Sequence, residues 1–129
     1  MKIRQLTPVL LVEEIEPVLS FWERLGFERT TEVPEGDRLG FVILVRDDVQ
    51  VMYQSRASVR RDVAPLADAP ANASFLFITV DDLDAFERNL DAAPVVPRRR
   101  TFYGADELIV RDPAGNVVTF AQFDEPAQE

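Results

Sequence analysis

The side chains able to do chemistry in this sequence are carboxylates, arginines, hydroxyls and amides, because the chain has neither histidine nor cysteine. The absence of histidine removes the commonest metal ligand and the usual general base near neutral pH. The absence of cysteine removes thiolate nucleophiles, zinc–thiolate sites and disulfides. The densest cluster of reactive groups lies at residues 98–107, "RRRTFYGADE", which combines three arginines, a phenol and two carboxylates.

Glu107 is the best candidate in this cluster for acid–base chemistry. By the alternation of side chains along a strand, Glu107 shares a face with Ile109, and a carboxylate in such a partly apolar setting can transfer a proton. We favour the simpler alternative of a surface carboxylate that pairs with Arg98 or Arg100. Tyr103 fits a Tyr-Gly turn better than a catalytic phenol.

Length and charge limit the class of protein. With 129 residues and 47% hydrophobic content, the chain can form one compact domain, residues 1–129. No apolar run approaches the length of a membrane span, and the N-terminal stretch has the pattern of a first strand, so we expect a soluble cytoplasmic protein. The formal net charge of −9 argues against nucleic acid as a partner. The arginines at 56, 60, 61 and 98–100 are interpreted as charges that balance an acidic surface, with anion capture as the alternative.

The chain contains two copies of one unit. Residues 9–25, "VLLVEEIEPVLSFWERL", match residues 76–90, "LFITVDDLDAFERNL", and "LVRD" at 44–47 matches "IVRD" at 109–112. The order and the spacing of these matches agree, which predicts a repeated supersecondary unit. Repeat one spans 1–54, a linker with one helical turn spans 55–72, and repeat two spans 73–123. The tail at 124–129 is expected to be frayed.

Each repeat has the pattern of a strand, a helix and three further strands. In repeat one, Pro17 suits the first turn of a helix that Gly26 ends. In repeat two, Asp81 and Asp82 are placed to cap a helix whose Leu83, Phe86 and Leu90 face inward. The sequence "RDPAGN" at 111–116 predicts a hairpin turn. The predicted strands are Ile3–Val12, Phe27–Val33, Leu39–Val45 and Val49–Gln54, then Ser74–Val80, Val95–Arg99, Ala105–Arg111 and Val117–Phe123.

Alternation along these strands separates two faces. One face packs under the helices and carries Leu10, Val12, Val49, Val51, Tyr53, Leu76, Ile78, Val80, Val118 and Phe120. The other face mixes apolar and uncharged polar groups, and two such faces would curl into a shared cup. Trp22 is expected in the core rather than against a ligand.

This pattern resembles the vicinal oxygen chelate superfamily, which includes glyoxalase I, extradiol dioxygenases and bleomycin-resistance proteins. The resemblance rests on residues 6–28, "LTPVLLVEEIEPVLSFWERLGFE", residues 75–86, "FLFITVDDLDAF", and residues 103–123, "YGADELIVRDPAGNVVTFAQF". It implies an α+β fold in which two βαβββ repeats form a curled mixed sheet with an open cup, with helices on the outer face. It also implies a homodimer.

The resemblance further implies where a metal would bind. Metal-dependent members place a histidine near the start of each first strand and a glutamate on each last strand. These points map onto Thr7, Phe75, Thr119 and, less directly because the hairpin lengths differ, Gln50. None is a good ligand for a divalent metal. We therefore expect no metal and no cofactor, as in bleomycin-resistance-like members.

The predicted function is a metal-free binder of a small apolar or aromatic molecule. One alternative is a lyase, isomerase or dioxygenase of the same superfamily that uses a metal or Glu107; another is a dimeric interaction module. Bleomycin-like cationic drugs would suit the acidic net charge, and drug resistance is the corresponding role. The predicted ligand-binding residues are Thr7, Val9, Gln50, Met52, Gln54, Phe75, Phe77, Tyr103, Glu107, Thr119 and Phe123.

Overall fold

The computed structural model describes residues 1–124, and the chain divides into two compact units, residues 1–72 and the part from Ala73 onward. Each unit has its own four-stranded mixed sheet. The boundary coincides with the predicted start of repeat two. None of the described helices is long and apolar enough to span a membrane.

Unit 1 follows the predicted order of a strand, a helix and three strands. Its strands run in the order β1-β4-β3-β2, with β1 parallel to β4 and the other neighbours antiparallel. The elements are β1 (Val9–Val12), α1 (Glu16–Glu23), β2 (Glu28–Glu35), β3 (Arg38–Arg46), β4 (Val49–Ser55), α2 (Arg56–Asp62) and a 3-10 turn (Ala64–Leu66).

Helix α1 forms where proline occupies the first turn and apolar side chains recur along one side. Trp22 is buried there, and its indole nitrogen donates a hydrogen bond of 2.8 Å to the hydroxyl of Tyr53 on β4. Gly26 follows the helix with a positive φ of 88°, which a side chain would disfavour. The core position of Trp22 and the role of Gly26 are both confirmed.

Unit 2 repeats the same topology. Its strand order β5-β8-β7-β6, with β5 parallel to β8, matches that of unit 1 position by position. The elements are β5 (Phe75–Thr79), α3 (Leu83–Asn89), β6 (Arg99–Arg100), β7 (Ala105–Arg111) and β8 (Val117–Phe123). The internal repeat and the α+β class are therefore confirmed, and β7 and β8 have the predicted bounds.

Helix α3 begins as its sequence predicts. Asp82 caps it by accepting a hydrogen bond of 3.1 Å from the amide of Ala85. Leu83 is fully buried, and its amide donates to the side chain of Gln122 on β8 at 2.8 Å. Phe86 stacks on Phe120 with ring centroids 5.7 Å apart. These contacts fix α3 on one face of the second sheet.

The first strand is shorter than predicted. Strand β1 begins at Val9, where the predicted strand began at Ile3. Val9 lies opposite Met52 in a parallel register, so Leu6 would lie opposite Val49, the first residue of β4, and residues 3–5 would lie opposite the turn that precedes it. Pro8, which has no amide hydrogen, supplies only its carbonyl to the amide of Met52.

The segment predicted as a linker contains a helix of its own. Helix α2 spans two turns, and its cap is Ser55, whose hydroxyl accepts from the amide of Ser58 at 3.2 Å. Arg56 holds the segment after α2 by donating to the carbonyl of Ala69 at 3.0 Å. Its guanidinium group also pairs with Glu13, just after β1. The segment thus has more helix than the one turn predicted, because Ser55 caps α2 and a 3-10 turn follows it.

Three smaller predictions also change. Strand β6 covers Arg99–Arg100 instead of Val95–Arg99, because Pro94 and Pro97 remove donors and only the amide of Val95 bonds, to the carbonyl of Ile109. Val49, predicted under a helix, is exposed at the start of β4. The tail at 124–129 was predicted to be frayed, but Asp124, its first residue, pairs with Arg100. Residues 125–129 lie outside the described residues.

The turn at 112–116 ties two parts of unit 2 together. Asp112 accepts hydrogen bonds from the amides of Ala114 and Asn116 at 3.0 and 2.8 Å. The side-chain oxygen of Asn116 accepts from the amide of Ser74 at 2.9 Å, immediately before β5. Gly115 has a φ of 101°, which the turn requires. The hairpin turn is confirmed, and it also fixes where β5 begins.

We expect the substitution Asn116→Ala to lower the free energy of unfolding by about 2–3 kcal/mol, because it removes the acceptor of the Ser74 amide from a buried position. Asn89→Ala, at an exposed position of α3, should change it by less than about 0.5 kcal/mol. Urea denaturation measures both. Equal effects of the two substitutions would contradict the role given to Asn116.

Candidate functional site

In each unit, one helix covers one face of the sheet, and we call the opposite face the far face. Helix α1 lies against the face of Tyr53, and α3 lies against the face of Phe120. The strand registers place most predicted ligand-binding residues on the far faces. These are Val9, Gln50, Met52 and Gln54 in unit 1, and Phe75, Phe77, Glu107, Thr119 and Phe123 in unit 2.

Polar groups on the far face of unit 1 find partners within the chain. Thr7 donates its hydroxyl to the amide oxygen of Gln50 at 3.1 Å, and Gln5 donates to the same oxygen at 2.7 Å. The amide nitrogen of Gln54 donates to the hydroxyl of Ser58 at 3.0 Å. The structure brings Thr7 and Gln50 together, and the side-chain oxygen of Gln50 accepts from two donors of the same chain.

The register of the strands bears on the expected metal positions. Val9 lies opposite Met52 in the first sheet, as Phe77 lies opposite Thr119 in the second. Val9 and Phe77 are equivalent positions of the two repeats, so the counterpart of Thr119 on β4 is Met52. Met52 lies two residues after Gln50. A thioether suits a hard divalent cation no better than an amide does.

The donor chemistry at these points does not fit a divalent metal ion. The candidates are hydroxyl groups, an amide, a thioether and a phenyl ring. Among residues 1–124, no group of three or more acidic side chains is placed to hold a metal ion. No step of a reaction is therefore derived through a metal.

Glu107 is buried on the far face of unit 2, at 2% exposure, and both of its carboxylate oxygens have partners. One accepts from Nε and Nη2 of Arg99 at 3.2 and 2.9 Å. The other accepts from the hydroxyl of Tyr103. The prediction of a surface carboxylate paired with Arg98 or Arg100 is wrong, because those arginines point elsewhere. With both oxygens engaged, Glu107 is better suited to holding Arg99 and Tyr103 than to taking a proton from a ligand.

The three consecutive arginines have separate roles. Arg98 donates to Asp84 and Glu87 of α3 at 2.6 and 2.9 Å, and the hydrogen bond to Asp84 raises the pKa of Arg98 above its ordinary value. Arg100 pairs with Asp106 and Asp124. Both therefore balance acidic groups, as the sequence predicts. Arg99 alone of the three pairs with Glu107, and its side chain remains 55% exposed.

Several aromatic side chains of unit 2 are exposed. Phe75 and Phe77 on β5 are 80% and 54% exposed, although their neighbours in the strand are partly buried. Phe77 lies opposite Thr119, and Thr119 lies opposite Ile109. The ring of Tyr103 lies 5.9 Å from that of Phe123. The far face of unit 2 is thus an apolar and aromatic surface with a hydroxyl group beside Phe77.

Sequence reasoning missed a concavity in unit 1, here called the hairpin pocket. It lies between the β2–β3 hairpin and α2, with a volume of about 570 Å³. Gln54 is the single predicted binding residue among those that line it. The sequence signal that could have revealed the hairpin pocket is Ser55, the cap of α2, because the helix that begins there forms one wall of the pocket. The lining residues are Val33, Pro34, Glu35, Phe41, Gln54, Ser58, Arg61 and Asp62.

The sequence model that describes the Glyoxalase/Bleomycin resistance protein/Dioxygenase superfamily matches residues 3–120 of this chain. No curated protein matches the chain significantly. A solved glyoxalase/bleomycin resistance protein/dioxygenase from Nocardioides has a TM-score of 0.73 at 15% identity, covering 100% of this chain and 91% of that chain.

Two further solved structures are similar. Lactoylglutathione lyase from Agrobacterium tumefaciens has a TM-score of 0.73 at 18% identity and covers 95% of each chain. The bleomycin-binding protein from bleomycin-producing Streptomyces verticillus, complexed with copper(II)-bleomycin, has a TM-score of 0.63 at 27% identity, covering 97% of this chain and 99% of that chain. One fold shared by a lyase and a drug-binding protein shows that the fold does not by itself decide the function.

We expect Glu107→Gln to lower the free energy of unfolding by about 1–3 kcal/mol, because it removes a buried charge that Arg99 pairs with. Tyr103→Phe removes one hydrogen bond to the same carboxylate and should cost about 1 kcal/mol. Asp106→Asn, on the same strand at a more exposed position, is the matched control. Urea denaturation measures the free energy of unfolding of each variant. A loss for Asp106→Asn as large as that for Glu107→Gln would contradict the structural role given to Glu107.

Proposed function

Because this chain belongs to the glyoxalase/bleomycin resistance protein/dioxygenase superfamily, we propose that it binds a small apolar or aromatic molecule without using a metal ion. The family resemblance of the sequence is confirmed by the model match over residues 3–120. The ligand is an expectation drawn from the side chains that the far faces carry.

The first support for the proposal is the chemistry at the expected metal positions. Thr7, Phe75 and Thr119, with either Gln50 or Met52, offer no carboxylate and no imidazole. A divalent cation bound by such groups would keep most of its water and bind weakly. A scaffold of this kind retains a surface for organic molecules.

The observation that carries the proposal is the exposed aromatic surface of unit 2. Phe75 and Phe77 present large apolar areas to solvent on a regular strand, where a polar residue would cost nothing. Thr119, opposite Phe77, supplies a hydroxyl beside the rings. A planar aromatic molecule stacked on these rings gains apolar burial and ring contacts worth about 1 kcal/mol per pair.

The bleomycin-binding relatives give this proposal a chemical precedent. Structures of such proteins, one complexed with bleomycin and one with copper(II)-bleomycin, share the fold of this chain. A bleomycin-like drug, and resistance to it, is therefore one form of the proposed function. The homodimer implied by the family resemblance remains a proposal.

The enzyme alternative has less support. A Glu107-assisted lyase or isomerase needs a carboxylate that can accept a proton from a ligand, whereas both oxygens of Glu107 are bonded to Arg99 and Tyr103. The interaction-module alternative uses the same exposed phenylalanines. It differs in predicting no stabilisation by small molecules.

We expect Phe77→Ala to weaken the binding of planar aromatic probes such as 2-naphthol by about tenfold, because one ring contact and its buried apolar area are lost. Phe102→Ala removes an equally large but almost fully exposed ring in the turn before β7, and should leave binding unchanged. Affinity is measured by calorimetric titration, and ligand stabilisation by thermal unfolding.

Two results would contradict the proposal. One is equal loss of affinity in the Phe77 and Phe102 variants, which would indicate nonspecific association. The other is a panel of aromatic probes that fails to stabilise the wild-type protein while Phe75→Arg changes its oligomeric state. That second result would favour the interaction module.

A further inference from the structure

The hairpin pocket is a built feature of unit 1, because several contacts hold its walls in place. A Cβ atom on Gly40 would lie 2.8 Å from Cβ of Glu35 and 3.1 Å from Cβ of Ser58, so glycine allows α2 to approach the hairpin closely. Ser55 caps α2, and Gln54 bonds to Ser58 across the pocket wall. These contacts join the last residues of β4 to the first turns of α2.

The size and the lining of the pocket suit a small organic molecule. Its volume of about 570 Å³ falls within the usual range for ligand sites, roughly 300–1,000 Å³. Val33, Pro34 and Phe41 provide an apolar wall, and Val33 lies opposite Phe41 in the strand register. The polar groups lie on the remaining side, where Gln54 and Ser58 meet Glu35 and α2.

The charges that line the pocket differ in how firmly they are held. Glu35, on β2, has a side chain only 17% exposed, and it pairs at 2.8 Å with Arg61, whose side chain is 76% exposed. Asp62 adds a second carboxylate at the rim. The fixed charge inside the pocket is therefore negative. Its counter-charge is a long side chain in the last turn of a short helix, largely in water.

A cation from solution can replace such a counter-charge at small cost. The exposed guanidinium group of Arg61 is readily hydrated after it leaves, whereas the mostly buried carboxylate of Glu35 needs a positive partner. An ammonium group with an apolar body would also lie against Phe41, where the ring face attracts a cation. An anion would meet Glu35 and Asp62 instead.

The geometry points to the hairpin pocket as a binding site for small organic cations, with Glu35 as the counter-ion and Arg61 as the side chain that the ligand displaces. The apolar body of the ligand packs on Val33, Pro34 and Phe41. This inference goes beyond the proposed function, because Gln54 is the single lining residue that also belongs to the predicted ligand-binding set.

The test compares three probes of similar size, 2-phenylethylammonium, the neutral 2-phenylethanol and the anionic phenylacetate. Titration of the full chain is followed by NMR through the backbone amides of Gly40 and Ser58. The ammonium probe should bind about fivefold to tenfold more tightly than the alcohol, and phenylacetate should bind most weakly.

Two substitutions with opposite expected effects make the test specific. Glu35→Gln should weaken binding of the ammonium probe by about tenfold, while Arg61→Gln should tighten it about threefold because the competing cation is gone. Matched controls are Glu32→Gln, which also removes an acid paired with an arginine on β2, and Arg60→Gln, the neighbour of Arg61 on α2. Both controls should leave binding unchanged.

Equal affinities for the three probes, or an effect of Glu32→Gln as large as that of Glu35→Gln, would overturn cation selection. Failure of every probe to shift the amides of Gly40 and Ser58 would overturn it as well. None of these results touches the aromatic surface of unit 2. The proposed function fails separately, when the aromatic probes neither bind nor respond to the Phe77 substitution.

Discussion

The structure of each unit depends on one constraint, that a single helix covers a single face of a four-stranded sheet. Because side chains alternate along a strand, every strand residue that does not face α1 or α3 belongs to the far face. Trp22 with Tyr53, and Phe86 with Phe120, fasten the helices to their sheets. The far faces are then free to differ in chemistry between the two units while the buried faces preserve the fold.

The two far faces have indeed diverged in this way. Unit 2 presents exposed phenylalanines beside a hydroxyl group and keeps the buried carboxylate of Glu107 inside a hydrogen-bonded network. Unit 1 has instead acquired α2, which converts the end of its sheet into the hairpin pocket. Identical topology with different side chains is what a duplicated unit allows, since the fold tolerates change wherever packing does not decide the residue.

Much of the fold was predictable from sequence, and the errors have physical causes. The repeat and the bounds of β7 and β8 followed from alternation and spacing. The exclusion of residues 3–5 from β1 depended on where its partner β4 begins, which no local pattern reveals. Strand β6 was shortened by prolines whose effect depends on the neighbouring strand. Far-face membership of Gln54 or Phe77 was predictable. The pairing of Glu107 with Arg99 was not, because it depends on which of three adjacent arginines enters the sheet.

The central claim is that this chain keeps the family scaffold without the family's metal-binding side chains. The most direct test is metal analysis of protein purified without chelators from medium containing iron, manganese, nickel and zinc, followed by calorimetric titration with each ion. The account predicts well below one ion per chain and no saturable binding. One tightly bound ion per chain, lost when Thr119 is replaced by alanine, would contradict it.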